Sequence, residues 1–293
     1  MKILVAGPYI GELGFESCNW MPHLAAIRKD YDSMVVFSRR GHEDIYPFAD
    51  TFIGFDFGLE VVHCDQNWMI QPLPGAVAAF NLLENQVRDY TEALKVDGNQ
   101  VSLLLSDVQM RRTNFNDRFP IVLHGSAKNN EKWGGILPPG PKIVLPIRSY
   151  RRGAAKNTSP VLIDTITSVL RDKINPTFIL IGHEELPFQC KSRSSCIDLL
   201  NKTTISDLIS IYALSDMVIG AVTGTMHLAA PCGIPHVTWL TCVAPPGAIE
   251  ERFLTQWNLT KTPVEYIDTP PDVKINPNIV IEKVMNLWKR ISI

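Results

Sequence analysis

Met217-Val-Ile-Gly-Ala-Val-Thr-Gly-Thr-Met-His-Leu-Ala-Ala-Pro-Cys-Gly-Ile-Pro-His236 is the stretch from which the fold can be read. Met217–Gly220 is a short apolar run of strand character, Thr223-Gly224 is a tight turn, and Thr225–Ala230 reads as a helix of small residues. Gly233-Ile-Pro235 stops that helix, and His236–Leu240 is a second apolar strand. Strand, turn, helix and strand in this order make a βαβ unit, whose helix directs its first backbone N–H groups and the positive end of its dipole at one point. That point suits a phosphate. Gly224 allows close backbone approach, the Thr223 and Thr225 hydroxyls add donors, and Met226 and His227 lie in the first helical turn. A helix-capping threonine in an ordinary crossover is the bland alternative.

The same alternation extends in both directions. Toward the N-terminus the pattern predicts strands at Lys2–Ala6, Ser33–Phe37, Thr51–Phe55 and Glu60–His63, with helices at Glu16–Arg28 and Phe80–Leu94. Asn99–Arg118 has no clear period. His124–Pro141 is crowded with glycine and proline and reads as a connection between domains. A second series follows, with strands at Lys142–Pro146 and Thr177–Ile181 and helices at Ser159–Lys173, Ile205–Leu214 and Asn276–Ile291. Strands that alternate with helices imply parallel sheets covered by helices. The expectation is two domains, 1–130 and 140–275, with a terminal helix over 276–293.

Composition narrows the function classes. The chain of 293 residues is 45% hydrophobic and 20% charged, with a net charge of −2, so no broad cationic face for nucleic acid is indicated. The opening Met1-Lys-Ile-Leu-Val-Ala-Gly7 passes directly into a turn and reads as a first strand, not a signal peptide, so a cytoplasmic protein is expected. Six scattered cysteines form no Cys-x-x-Cys pair, and no metal-ligand spacing occurs. Asp30-Tyr-Asp32 matches the Asp-x-Asp string of metal-dependent transferases but falls at a helix end, and is read as chance.

Two further clusters sit where open α/β sheets place ligands. Gly7-Pro-Tyr-Ile-Gly-Glu-Leu-Gly-Phe-Glu16 follows the first strand and brings Glu12 and Glu16 into a glycine-rich turn. It lacks the spacing of a dinucleotide fingerprint. Pro146-Ile-Arg-Ser-Tyr-Arg-Arg152 puts Arg148 and Arg152 at the end of another strand, where cations would offset anionic charge.

The stretch at 223–235 resembles the signature of the lipopolysaccharide heptosyltransferases (glycosyltransferase family 9) and related GT-B glycosyltransferases, in which it holds the diphosphate of a nucleotide-sugar. Thr223, Gly224, His227, Leu228, Ala229, Ala230, Gly233 and Pro235 match; the family's acidic residue facing the donor sugar is Val222 here. The resemblance implies two doubly wound Rossmann-like domains facing across a cleft, with the terminal helix crossing back to the first. It implies an inverting transfer, without a metal or other cofactor, from a nucleoside-diphosphate sugar as co-substrate to an acceptor hydroxyl. A carboxylate in the first turn serves as base in the family. Counting back from Pro22 aligns Glu16, whereas the Gly-acid dipeptide points to Glu12. Lys156 matches a lysine that meets the donor phosphates, and His183, Glu184 and Thr203 lie in segments that border the nucleoside. Compact enzymes of this kind act on bacterial glycans or on hydroxymethylated bases of phage DNA, so both acceptors, and a bacterial or phage-infected cytoplasm, are expectations. A nucleotide-sugar 2-epimerase and a non-catalytic nucleotide-sugar binding protein are the competing classes.

Overall fold

The computed structural model describes residues 1–56, 74–106, 117–151, 157–239, 247–268 and 274–292. The chain divides into two compact units, Met1–Ile121 and Val122–Ile293. The strand expected at Glu60–His63 lies outside the described residues.

The first unit carries a four-stranded parallel sheet of β1 (Lys2–Tyr9), β2 (Ser33–Arg39), β3 (Thr51–Phe55) and β4 (Gln100–Leu104), in the order β3-β2-β1-β4. β4 comes from the segment that had shown no clear period. It is an edge strand with no fully buried residue, so its pattern is weak. The helical path after β1 starts earlier than expected, with α1 (Leu13–Phe15), a π-helical turn (Glu16–Trp20) and α2 (Met21–Ile27). Pro22 explains the π turn in part. It has no N–H to donate to the Cys18 carbonyl, which instead accepts from Arg118 Nη1 at 3.1 Å. All five residues of the π turn are buried. The helix α3 (Pro74–Val96) lays Val87 against Ile3, Val5, Val35 and Phe37 of the sheet. Asp32, of the Asp-x-Asp string, accepts from the Lys2 amide at 2.7 Å and ties the entry of β1.

The second unit carries a six-stranded parallel sheet, ordered β10-β9-β8-β5-β6-β7. Its strands are β5 (Lys142–Ser149), β6 (Thr177–Glu184), β7 (Ile197–Asp198), β8 (Met217–Ala221), β9 (His236–Trp239) and β10 (Val264–Ile267). The central strands are apolar on both faces, as burial between helix layers requires. The glycine-rich segment expected to be a connection contains α4 (Ala127–Ile136), capped by Ser126. Trp133 Nε1 and Lys132 Nζ both donate to Asp207 at 2.8 Å, which fixes α4 against α6 (Ile205–Ala213). A long-range carboxylate thus supports a helix whose own sequence lacks an apolar stripe.

α5 (Pro160–Ile174) covers the sheet next to α8 (Pro277–Ile291). α8 inserts Val280, Ile281, Val284 and Leu287 into the core formed with Ile163, Ile166, Val237 and Ile267, all of the second unit. Burying four such side chains contributes about 1.5–3 kcal/mol each before chain entropy is counted. Between β9 and β10 lies α7 (Ala248–Arg252), continued by a π turn at Phe253–Trp257. The helix expected over Thr225–Ala230 is shorter, a 3₁₀ turn at Met226–Leu228. Among the described residues no helix is long and apolar enough to cross a membrane. Among the described residues, Cys18, Cys190, Cys196 and Cys232 form no disulfide.

Candidate functional site

Strand order locates the candidate site of the second unit. From β5 the chain winds outward through β6 and β7, then returns to the other side of β5 as β8. Connections therefore leave β5 and β8 in opposite directions, and the carboxyl ends of these strands are where an open α/β sheet takes a ligand. Gly220 approaches Pro146 so closely that an added Cβ would meet the proline ring at 3.1 Å.

The turn after β8 is organised by Thr223. Its Oγ1 accepts from the Met226 amide at 3.3 Å and lies 3.1 Å from Thr225 Oγ1, while its carbonyl accepts from the His227 amide at 3.2 Å. Tyr212 Oη donates to the Thr225 carbonyl at 3.0 Å and anchors the turn to α6. Two of the expected phosphate donors are thereby corrected: the amides of Met226 and His227 are occupied within the turn, and the Met226 side chain is wholly buried. The Gly224 and Thr225 amides have no acceptor among the described residues. What the turn offers an anion is two amides and two hydroxyls.

His227 supplies no positive charge. It stacks on Phe253 (5.6 Å between centroids) and meets Trp257 edge-on at 5.0 Å. Burial, and then the neighbouring His236, push its pKa down to about 4, so the ring is neutral near pH 7. It can act there only as a neutral hydrogen-bonding group.

At the end of β5 the Arg148 guanidinium lies 4.5 Å over the Tyr150 ring, and Tyr150 stacks on His183 of β6 at 5.5 Å. Arg148 and His183 are register partners across these strands, which is why the three side chains form one column. Asn157 clamps Tyr150 through two bonds, its Oδ1 accepting from the amide at 3.0 Å and its Nδ2 donating to the carbonyl at 2.8 Å. Thr158 Oγ1 accepts from the Arg148 amide at 3.0 Å. Tyr150 and Asn157 were not singled out from the sequence. The strand-to-helix position of Tyr150, beside Arg148, was the available signal. Arg152 and Lys156 lie outside the described residues.

Glu184 and Thr203 do not join this column. Glu184 accepts from Arg193 at 2.9 Å and from the Phe188 amide at 2.9 Å, and the Arg193 hydrogen bond holds its carboxyl below the usual range. It stabilises the turn after β6. Thr204, next to Thr203, is the N-cap of α6 in a reciprocal capping box with Asp207.

In the first unit the corresponding reversal lies between β1 and β4, and the Ser106 hydroxyl donates to the Pro8 carbonyl there. Gly7, at φ +114°, has no room for a side chain, since a Cβ would fall on the Phe37 carbonyl oxygen. Glu16, one of two candidate bases, is fully buried. Its Oε1 accepts from Ser38 and from Tyr46, each at 2.6 Å; its Oε2 accepts from His42 Nδ1 at 2.8 Å and Arg39 Nη2 at 3.3 Å. Four donors saturate a carboxylate. Burial alone would raise the Glu16 carboxyl, but the charge and hydrogen bond of His42, then Arg39 and Ser38, outweigh it and hold the pKa at about 2. Glu16 as base is thus corrected: it has neither access nor basicity. Glu12, partly exposed at the start of α1, has an extended backbone (φ −64°, ψ 143°).

Two parallel-sheet α/β units of this kind make the GT-B class of fold. No protein-family model matches the chain, and no curated protein matches it significantly. Among solved structures it is similar to ADP-heptose lipopolysaccharide heptosyltransferase II of Escherichia coli, with 14% identity, coverage of 100% of both chains and a TM-score of 0.64. A glycosyltransferase family 9 protein of Veillonella parvula aligns with 10% identity over 99% of this chain and 97% of its own, at a TM-score of 0.62. The E. coli heptosyltransferase WaaC with ADP aligns with 11% identity over 98% of this chain and 100% of its own, at 0.57. At these identities the likeness is one of fold, and at that level it agrees with the family resemblance of the 223–235 stretch.

Proposed function

We propose that this protein is a glycosyltransferase that moves a sugar from a nucleoside diphosphate to an acceptor hydroxyl with inversion. The observation that carries this reading is the Gly224 and Thr225 amides, which have no acceptor among the described residues and are flanked by the Thr223 and Thr225 hydroxyls, at the switch point of the second sheet. Fixed donors there would stabilise the charge that grows on a departing diphosphate. Arg148, set in its column with Tyr150 and His183, supplies a cation at the end of the adjacent strand. The fold shared with two heptosyltransferases that act with, or were solved with, adenine nucleotides supports the same ligand class. The base is Glu12, because Glu16 is enclosed. A carboxylate taking the acceptor proton as the hydroxyl attacks the anomeric carbon needs no metal in that role.

A melting-temperature screen with ADP-heptose and with other ADP-, UDP-, GDP- and CMP-sugars tests the reading, since a ligand of the folded state raises the midpoint. One nucleotide series should give a clear rise, and replacing Thr223 should diminish it. Absence of any rise across the panel overturns the proposal. With the donor known, glycan and hydroxymethylated duplex DNA acceptors are compared by product mass. Glu12→Gln should remove transfer to either acceptor while leaving the donor-induced rise intact.

A further inference from the structure

We propose that Glu16 and Arg39 are positioning residues: their buried ion pair braces the Gly11–Glu12 backbone and so aims the Glu12 carboxylate. This rests on Glu12 being the base of the proposed transfer. Arg39 Nη2 donates to the Gly11 carbonyl at 2.7 Å and, at the same nitrogen, to Glu16 Oε2. The next carbonyl, that of Glu12, accepts from the Glu16 amide at 3.0 Å and from Tyr9 Oη at 3.1 Å. Two consecutive peptide groups are therefore tied to one buried cluster, which fixes the direction in which the Glu12 side chain leaves the backbone.

Tyr9 is held in turn. Its ring stacks on Trp20 at 5.9 Å and lies where a Cβ on Gly11 would come within 2.6 Å of its hydroxyl oxygen. Any side chain at position 11 would displace the ring. Ser38, His42 and Tyr46 complete the cluster by satisfying the oxygens that Arg39 leaves open. A buried charge pair is seldom the most stabilising choice for a core. Here it does what an apolar pair could not, because an arginine donor is needed to grip the Gly11 carbonyl while a carboxylate holds the arginine.

The test compares Glu16→Gln, the milder Tyr46→Phe and Glu12→Gln, using the donor selected by the melting screen. Glu16→Gln should lower kcat by about 10²-fold, with donor Kd and acceptor KM moving by less than about threefold, the signature of a misplaced base. The acid limb of its pH–rate profile should remain, whereas Glu12→Gln transfers no sugar at any pH. Tyr46→Phe, which leaves the ion pair in place, should fall between wild type and Glu16→Gln, and it reports if Glu16→Gln fails to fold. Hydrogen exchange of the Gly11–Glu16 amides should accelerate in both cluster variants.

Loss of the acid limb in Glu16→Gln would overturn the proposal by making Glu16 the base. Wild-type kcat and wild-type exchange in both cluster variants would overturn it by removing the brace. If the wild type transfers no sugar, the reading of Glu12 fails, while the exchange of the Gly11–Glu16 amides still decides whether the brace exists.

Discussion

Beyond the carboxyl end of β1, on the side of β2, a carboxylate is buried beneath four donors; beyond the carboxyl end of β8, two backbone amides have no acceptor among the described residues. Both turns follow the carboxyl end of a parallel strand, yet they handle polarity in opposite ways. Glu16 neutralises its surroundings internally, with Arg39 and His42 against it. The Thr223–Thr225 turn pairs some of its donors and leaves others for a ligand. A saturated network stiffens the backbone that carries it, whereas an unsaturated one binds.

The contrast predicts unequal responses to mutation. Removing the Glu16 carboxylate with Glu16→Ala would strand Arg39, His42, Ser38 and Tyr46, and should destabilise the first unit by about 3–5 kcal/mol in urea unfolding near pH 7. A loss below about 1 kcal/mol would mean that water replaces the carboxylate and that the network is not closed.

Acid should separate the units. His236 is wholly buried, and burial pushes its pKa down from 6.5 to about 4. The unfolded state therefore takes up a proton first, and the stability tied to a neutral His236, about 3 kcal/mol by the size of the shift, is lost as pH falls from 6.5 toward 4. His227 acts in the same direction and the same window. Glu16 behaves differently: its contribution is complete above 4.5 and disappears only as pH falls toward 2. Hydrogen exchange across an acid series should thus show the second unit loosening before the first. The reverse order would contradict the assignment of neutral histidines.

The smallest effects should arise at single hydroxyls. Thr223→Val removes one ligand donor and the acceptor for the Met226 amide, and should weaken donor binding by about tenfold, near 1.4 kcal/mol, by calorimetry. Thr204→Ala, which removes the cap of α6, should lower stability by about 1 kcal/mol and leave donor affinity unchanged. Equal losses of affinity in both variants would show that Thr223 acts only through folding.

Much of the fold was legible because its signals are local. Met217–Ala221 and Lys142–Ser149 are apolar runs that match the strands they form, and Ser159-Pro160 announces the start of α5. Elements without local signals were missed. α4 contains two adjacent glycines and depends on Asp207, and β4 is half-exposed at an edge. The same holds for the site. Thr223-Gly224 could be read as a turn from its residue types, whereas the column of Arg148, Tyr150 and His183 arises only when β5 and β6 come into register.

The amino-acid sequence by itself determined the alternation of strands and helices, the tight turn at Thr223-Gly224 and the presence of two acids after β1, since each depends on residues within a few positions of one another. Tertiary structure alone decided which of those acids is enclosed. The groups that saturate Glu16 come from 22 to 30 residues further along the chain, brought to it by the parallel pairing of β1 with β2. Whether a carboxylate is a base or a brace depends on which donors surround it and how much water reaches it, and no local pattern encodes either.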